Sequence, residues 1–66
     1  MQLIVNGEER QIENAQTLGE FLAHCALLSK MVVVERNSEI VPREKYDVTM
    51  LANNDVLEIV QMMAGG

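Results

Sequence analysis

Short runs of apolar, β-favouring residues separated by polar breaks dominate the chain and predict strands. The first run, residues 3–5, stops at the dipeptide Asn6-Gly7. Asn-Gly is a strong hairpin signal, because both central residues of a type I′ turn need positive φ. The return strand is predicted at residues 9–13, where Arg10 and Ile12 alternate with polar neighbours.

The next segment has the spacing of an amphipathic helix. Thr-Leu-Gly-Glu at residues 17–20 matches a capping box, in which the Thr and Glu side chains satisfy free amides at the helix start. Apolar residues then recur at helical spacing, so one face is expected to pack on the sheet: Leu18, Phe21, Leu22, Cys25 and Leu28. Cys25 is therefore interpreted as a core residue.

The second half of the chain predicts further strands and a loop. Residues 31–34 form a β-branched run expected to be covered on both faces, and residues 35–38 are expected to break it. Residues 40–41 form a brief extended piece that stops at Pro42. Residues 43–54 are expected to contain a helical turn and a loop under the core.

The last predicted strand covers residues 56–60 and follows a turn at residues 53–55. Leu57 and Ile59 are expected to face one side of the sheet, with Val56, Glu58 and Val60 on the other. The order of elements predicts an α+β fold, a mixed sheet with one main helix on one face. Residues 1–66 are interpreted as a single domain with a flexible tail at 61–66.

Size and charge exclude several classes of function. Sixty-six residues of which 48% are hydrophobic suit one small core, but not an enclosed substrate cavity, so a self-contained enzyme is not expected. The formal charge of −5 argues against nucleic acid and anionic membranes. No metal is expected, since His24 and Cys25 have no further ligands at metal-site spacing.

The location of the protein is expected to be cytoplasmic. The single cysteine cannot form an internal disulfide. No apolar stretch reaches the length that spans a bilayer, and the first residues lack the basic segment of a signal peptide.

The segment Ala64-Gly65-Gly66 is the most unusual feature of the sequence. Glycine leaves the backbone mobile and thin enough to enter a narrow passage. A carboxylate at Gly66 on such an arm suits chemistry performed by another protein's active site. The alternative is an ordinary frayed terminus.

Several segments, in order and spacing, carry a resemblance over essentially the whole chain. They are residues 1–7 (MQLIVNG), 17–22 (TLGEFL), 33–37 (VVERN), 39–43 (EIVPR), 54–60 (NDVLEIV) and 64–66 (AGG). The chain resembles the ThiS family of sulfur carrier proteins, which have a ubiquitin-like β-grasp fold. It departs from the family pattern at Ser38, where glycine is frequent, and at Met62-Met63, where aromatic or β-branched residues are usual.

The resemblance implies that the carboxylate of Gly66 is a substrate. A ThiF-like adenylating enzyme would activate it with ATP and Mg²⁺, and sulfur from a donor such as a cysteine desulfurase would convert it to a thiocarboxylate. A ThiG-like thiazole synthase would then take the sulfur for thiamine biosynthesis. No cofactor bound to the chain itself is implied, and Gly65 and Ala64 would present the tail.

Four residues are predicted to dock these partners: Met62, Met63, Val60 and Glu58. Methionine side chains adapt to varied surfaces, and Val56 with Val60 would form an apolar patch rimmed by Glu58. The alternative is that Val60 and one methionine complete the core.

Three other functions remain open from the sequence. One is the small-subunit type of sulfur carrier for molybdopterin synthesis, which shares the Gly-Gly end. Another is a ubiquitin-like modifier that joins Gly66 to a lysine. The last is a plain interaction module, which would not need Gly65 and Gly66.

Overall fold

Five strands form one mixed sheet, and a single helix covers one of its faces. The computed structural model describes residues 1–62. The sheet order is β2-β1-β5-β3-β4, with β1 and β5 parallel and the other neighbours antiparallel. The α+β prediction is confirmed. The elements are β1 (Gln2–Val5), β2 (Glu8–Gln11), α1 (Leu18–His24), β3 (Val32–Arg36), β4 (Glu39–Ile40) and β5 (Asp55–Gln61).

The first hairpin turns where the sequence predicts it. Asn6 and Gly7 have φ values of 50° and 82°, as a type I′ turn requires. The return strand β2 begins one residue earlier than predicted and ends at Gln11. Ile12 still pairs with Met1 through its backbone, since its amide donates to the Met1 carbonyl at 2.8 Å.

The predicted capping box starts α1. The Thr17 hydroxyl accepts from the Glu20 amide at 3.1 Å, and the Glu20 carboxylate accepts from the Thr17 amide at 2.8 Å. Leu18, Phe21 and Leu22 are buried against the sheet. The helix therefore forms the expected apolar face over its first turns.

The helix ends sooner than its apolar spacing predicts. Ala26 has a φ of 58°, and the amides of Ala26 and Leu27 donate to the carbonyls of Ala23 and Leu22, which is the Schellman pattern. The chain thus turns away from the helix axis before Leu28. Leu28 is 62% exposed, so its assignment to the apolar helix face is wrong.

Cys25 occupies the C-cap position of α1. Its side chain is only half-buried, although it packs against the core cluster. The interpretation as a core residue therefore holds for its contacts and overstates its burial. The reason is the early helix end, which makes Cys25 the C-cap residue instead of part of a further helical turn.

Strand β3 differs from its prediction in position and in burial. Met31 belongs to a 3₁₀ turn, Ser29–Met31, and the strand continues through Arg36, so residues 35–36 do not break it. The break falls at Asn37 and Ser38, both with positive φ. Val33 is 37% exposed, which shows that the strand is covered on one face only, because a single helix leaves the other face open.

The segment between β4 and β5 contributes two buried side chains to the core. It contains a 3₁₀ turn, Arg43–Lys45, and buries Tyr46 and Leu51. Gly19 of α1 approaches this segment closely, since its amide donates to the Tyr46 carbonyl at 2.9 Å and a Cβ at Gly19 would collide with the Asp47 carboxylate. The Asp47 side chain is exposed, so it is the group that a Cβ at Gly19 would displace.

Strand β5 is the central and longest strand. Its alternation follows the prediction: Leu57 is fully buried on the helix side, while Val60 is 61% exposed on the opposite side. Gln61 still belongs to the strand, and the Met62 amide donates to the Met31 carbonyl at 2.7 Å. The tail expected at 61–66 therefore does not include these two residues, which extend the sheet.

Candidate functional site: an open sheet face that leads to the Gly-Gly segment

The residues of the proposed sulfur attachment lie beyond the described part of the chain. Gly66, Gly65, Ala64 and Met63 are outside residues 1–62, so their predicted roles stay predictions. The structure does describe the strand that leads to them, from Asp55 to Gln61, and Met62 after it. The geometry of this strand and of its neighbours defines the candidate site.

The sheet face opposite α1 is rich in exposed aliphatic side chains. Val33 and Val60 lie directly opposite each other on β3 and β5, and Ile4 lies opposite Val56 on β1 and β5. Val56 is 38% exposed, Val60 is 61% exposed and Met62 is 40% exposed. The alternative that Val60 completes the core is therefore wrong, whereas the predicted docking role of Val60 and Met62 stays a prediction.

The charged residues on this open face are acidic. Glu58 and Glu35 are register partners on neighbouring strands, so their side chains project on the same side of the sheet. Arg10 and Arg36 are register partners of Leu3 and Leu57, which are buried on the helix side. The basic residues of the strands thus lie on the opposite face from this pair.

The carboxyl half of β5 is held by a side chain that sequence reasoning assigned only to a turn. Strand β1 ends at Val5, opposite Leu57. Beyond this point the side-chain carboxamide of Asn6 replaces a backbone partner. Its Oδ1 accepts from the backbone amide of Ile59 at 2.7 Å, and its Nδ2 donates to the Ile59 carbonyl at 3.2 Å. Asn6 therefore extends the β1–β5 ladder toward the tail.

A polar cluster at the other end of β5 was also missed, because Asp55 was interpreted as a turn residue. Its carboxylate accepts from Arg36 Nε at 2.8 Å, from Asn37 Nδ2 at 3.0 Å and from the Ala52 amide at 2.8 Å. Burial by itself raises the pKa of Asp55. The hydrogen bonds from Ala52, Asn37 and Arg36, with the charge of Arg36, outweigh it, and the pKa lies below its ordinary value.

Asn37 joins this cluster to the strand backbone. Its Oδ1 accepts from the Val56 amide at 2.9 Å, and its own amide donates to the Val56 carbonyl at 2.8 Å. The same residue thus makes the β3–β4 turn and fixes the start of β5. Asn37 and Asp55 are 18 positions apart in the sequence. Only the pairing register of the strands brings them together, so the sequence pattern alone does not reveal this contact.

A surface cleft of about 490 Å³ is bordered by both His24 and Cys25. Within residues 1–62 no three His, Cys, Asp or Glu side chains are grouped as a metal site. Arg43 donates from Nε to the Ser29 carbonyl at 3.1 Å, a bond within the fold.

Over the described part of the chain, no helix has the length and apolarity needed to cross a membrane. Most of the fold is formed by the sheet, and its longest strand, β5, precedes the Gly-Gly segment in the sequence.

This architecture is that of a ubiquitin-like β-grasp protein, and a solved structure matches it. The crystal structure of a thiamine biosynthesis protein (ThiS) from Geobacter metallireducens superimposes with a TM-score of 0.85 at 30% identity, over 100% of both chains. The family model described as the ThiS family matches residues 3–66. The chain belongs to the ThiS family.

Curated relatives agree with this assignment. The sulfur carrier protein ThiS of Bacillus subtilis is 38% identical over 65 residues, which are 97% of this chain and 98% of the relative. A thiazole synthase of Paramagnetospirillum magneticum is 41% identical over all 66 residues, and the chain spans 20% of its length. The comparisons identify the chain as a sulfur carrier of thiamine biosynthesis and favour this over the molybdopterin alternative.

Proposed function

We propose that the carboxylate of Gly66 carries the sulfur, as a thiocarboxylate. The observation that carries this proposal is the family match, which extends through Ala64-Gly65-Gly66 at residue 66. The described strand supports it, because β5 lies at the centre of the sheet and ends three residues before this segment in the sequence. Gly65 and Ala64 present the carboxylate on a chain narrow enough for another enzyme's active site.

Activation must come from a partner, because a carboxylate resists nucleophiles. A ThiF-like enzyme with ATP and Mg²⁺ supplies it: a carboxylate oxygen attacks the α-phosphorus, pyrophosphate leaves and an acyl-adenylate forms. The terminal sulfur of a persulfide then attacks the acyl carbon and AMP leaves. A thiol cleaves the resulting acyl disulfide, is itself oxidised, and releases the thiocarboxylate. A cysteine desulfurase supplies the persulfide.

A ThiG-like thiazole synthase accepts the sulfur. Support comes from two relatives named thiazole synthases, each of which carries a segment similar to this whole chain at 41% and 33% identity. The docking surface is the open sheet face that ends at the tail, through Val60, Glu58, Met62 and Met63. Exposed aliphatic side chains at this face lose contact with water on docking, which favours association.

Intact mass spectrometry tests the proposal. The chain is incubated with ATP, Mg²⁺, a persulfide donor and a ThiF-like enzyme, and the expected result is a mass gain equal to replacing one oxygen by sulfur. A variant lacking Gly66 is the control and should show no gain. An unchanged mass, with a known carrier modified in parallel, would refute the proposal.

A further inference from the structure

Glu35 and Glu58 form a pair of like charges on the open sheet face. They are direct register partners on the antiparallel strands β3 and β5, so their Cβ atoms are close neighbours. Like charges in this position destabilise a sheet. A stabilising role within the free domain therefore does not explain the pair.

The chain's own basic residues do not neutralise this pair. Of its three arginines, Arg36 is bound to Asp55 on the helix side at 2.8 Å, and Arg10 lies on the same side through its pairing with Leu3. Arg43 donates to the Ser29 carbonyl. Across residues 1–62, Arg36–Asp55 is the ion pair that the structure forms, so both glutamates leave their charges to solvent.

Aliphatic side chains surround the two carboxylates. Val56 and Val60 flank Glu58 along β5, and Ile40 is the register partner of Glu35 on the other side. Ile40 is 68% exposed and Val60 is 61% exposed. When a partner covers such a surface, the apolar contacts around the carboxylates exclude water, which strengthens their interaction with an opposite charge on the partner.

We infer that this face docks on a surface of the thiazole synthase partner that presents an arginine between Glu35 and Glu58, with apolar residues around it. The inference rests on the proposed function and adds the partner's chemistry to it. A guanidinium is the best match, because its planar fork of five donors can bond two carboxylates at once. It also removes the repulsion between them, so the charge that weakens the free sheet strengthens the complex.

Calorimetric titration of the full chain into the thiazole synthase of the same organism tests the inference. Glu35→Gln and Glu58→Gln should each weaken binding about tenfold or more, as expected for a lost charged hydrogen bond. Glu44→Gln is the matched control. It removes the same charge on the 3₁₀ turn Arg43–Lys45, away from the sheet, and should change the affinity less than about threefold, the scale of a surface charge.

Thermal unfolding separates docking from folding. Both sheet variants should melt at or above the wild-type temperature, because each removes the repulsion. The inference would be overturned if Glu35→Gln and Glu58→Gln bound the synthase with the same affinity as Glu44→Gln. It would also be overturned if the wild-type chain did not bind the synthase. The carrier function is read separately, since thiocarboxylate formation needs only the adenylating enzyme and the sulfur donor.

Discussion

Replacing Asn6 by glycine should loosen the end of β5 without disturbing the turn. Asn6 has a φ of 50°, which glycine adopts at no steric cost. The change removes the two side-chain hydrogen bonds to the Ile59 backbone, at 2.7 Å and 3.2 Å. The strand beyond Leu57 then loses its partner on the β1 side, where β1 has already ended.

The magnitude follows from the bonds lost. Each hydrogen bond contributes about 0.5–1.5 kcal/mol net, and water can replace part of an exposed one. Asn6→Gly should therefore lower the free energy of unfolding by about 1–2 kcal/mol. Asn6→Ala should cost about 1 kcal/mol more, because a Cβ is disfavoured at this positive φ.

Urea denaturation followed by circular dichroism measures the loss, and hydrogen exchange locates it. The amide of Ile59 should exchange faster in Asn6→Gly than in the wild type, since its acceptor is gone. Asn54→Gly is the matched control. Asn54 also has a positive φ, 70°, and its side chain makes no hydrogen bond in the described structure, so the effect should stay within about 0.5 kcal/mol.

Equal stability of Asn6→Gly and Asn54→Gly would refute the reasoning. So would an Ile59 amide that keeps wild-type protection in Asn6→Gly. Either result would mean that the Asn6 amide does not act as a strand segment in solution.

Four further substitutions test the turns and the buried Asp55. Ser38→Gly should stabilise the domain by about 0.5–1 kcal/mol in urea denaturation, because glycine suits a φ of 73°. Asn37→Gly should instead cost about 1–2 kcal/mol, since it removes the bonds to Asp55 and Val56, and equal effects of the two would contradict this account. Ala26→Gly should raise the melting temperature by relieving the positive φ that ends α1; an unchanged or lower value would contradict it. Asp55→Asn should destabilise by about 1–3 kcal/mol near neutral pH. Because the folded state lowers the pKa of Asp55, its contribution is present above the ordinary aspartate pKa and is lost as pH falls through the folded-state pKa. The difference in stability between Asp55→Asn and the wild type should therefore narrow as the pH falls below the ordinary aspartate pKa, and a difference that is independent of pH would refute the assignment.

Features decided by neighbouring residues were predictable from the sequence. The Asn6-Gly7 turn and the capping box of Thr17 and Glu20 each depend on a few consecutive positions. The faces of β5 were also predictable, because alternation alone separates Leu57 from its neighbours. In each case the physical cause lies within the segment itself.

Features that the local residue pattern does not specify were not predictable. The apolar spacing of α1 continues to Leu28, but the helix ends at His24 with Ala26 in a left-handed conformation, for which alanine gives no sequence signal. Likewise, the valines of β3 match a strand covered on both faces, whereas a single helix covers one. The number of layers, and not the local pattern, decides which valines are buried.

The candidate docking face shows the same division within one site. Parity along β5 is enough to place Val56, Glu58 and Val60 on one side, and the exposure of Val60 agrees. This alternation does not reveal which residues of the neighbouring strands lie beside these three, because the neighbour of Glu58 comes from a strand more than 20 positions earlier in the sequence. Only the β3–β5 register brings Glu35 next to Glu58. The apolar half of the face was therefore visible in the sequence, while the charge pair that would select its partner emerges only from the assembled sheet.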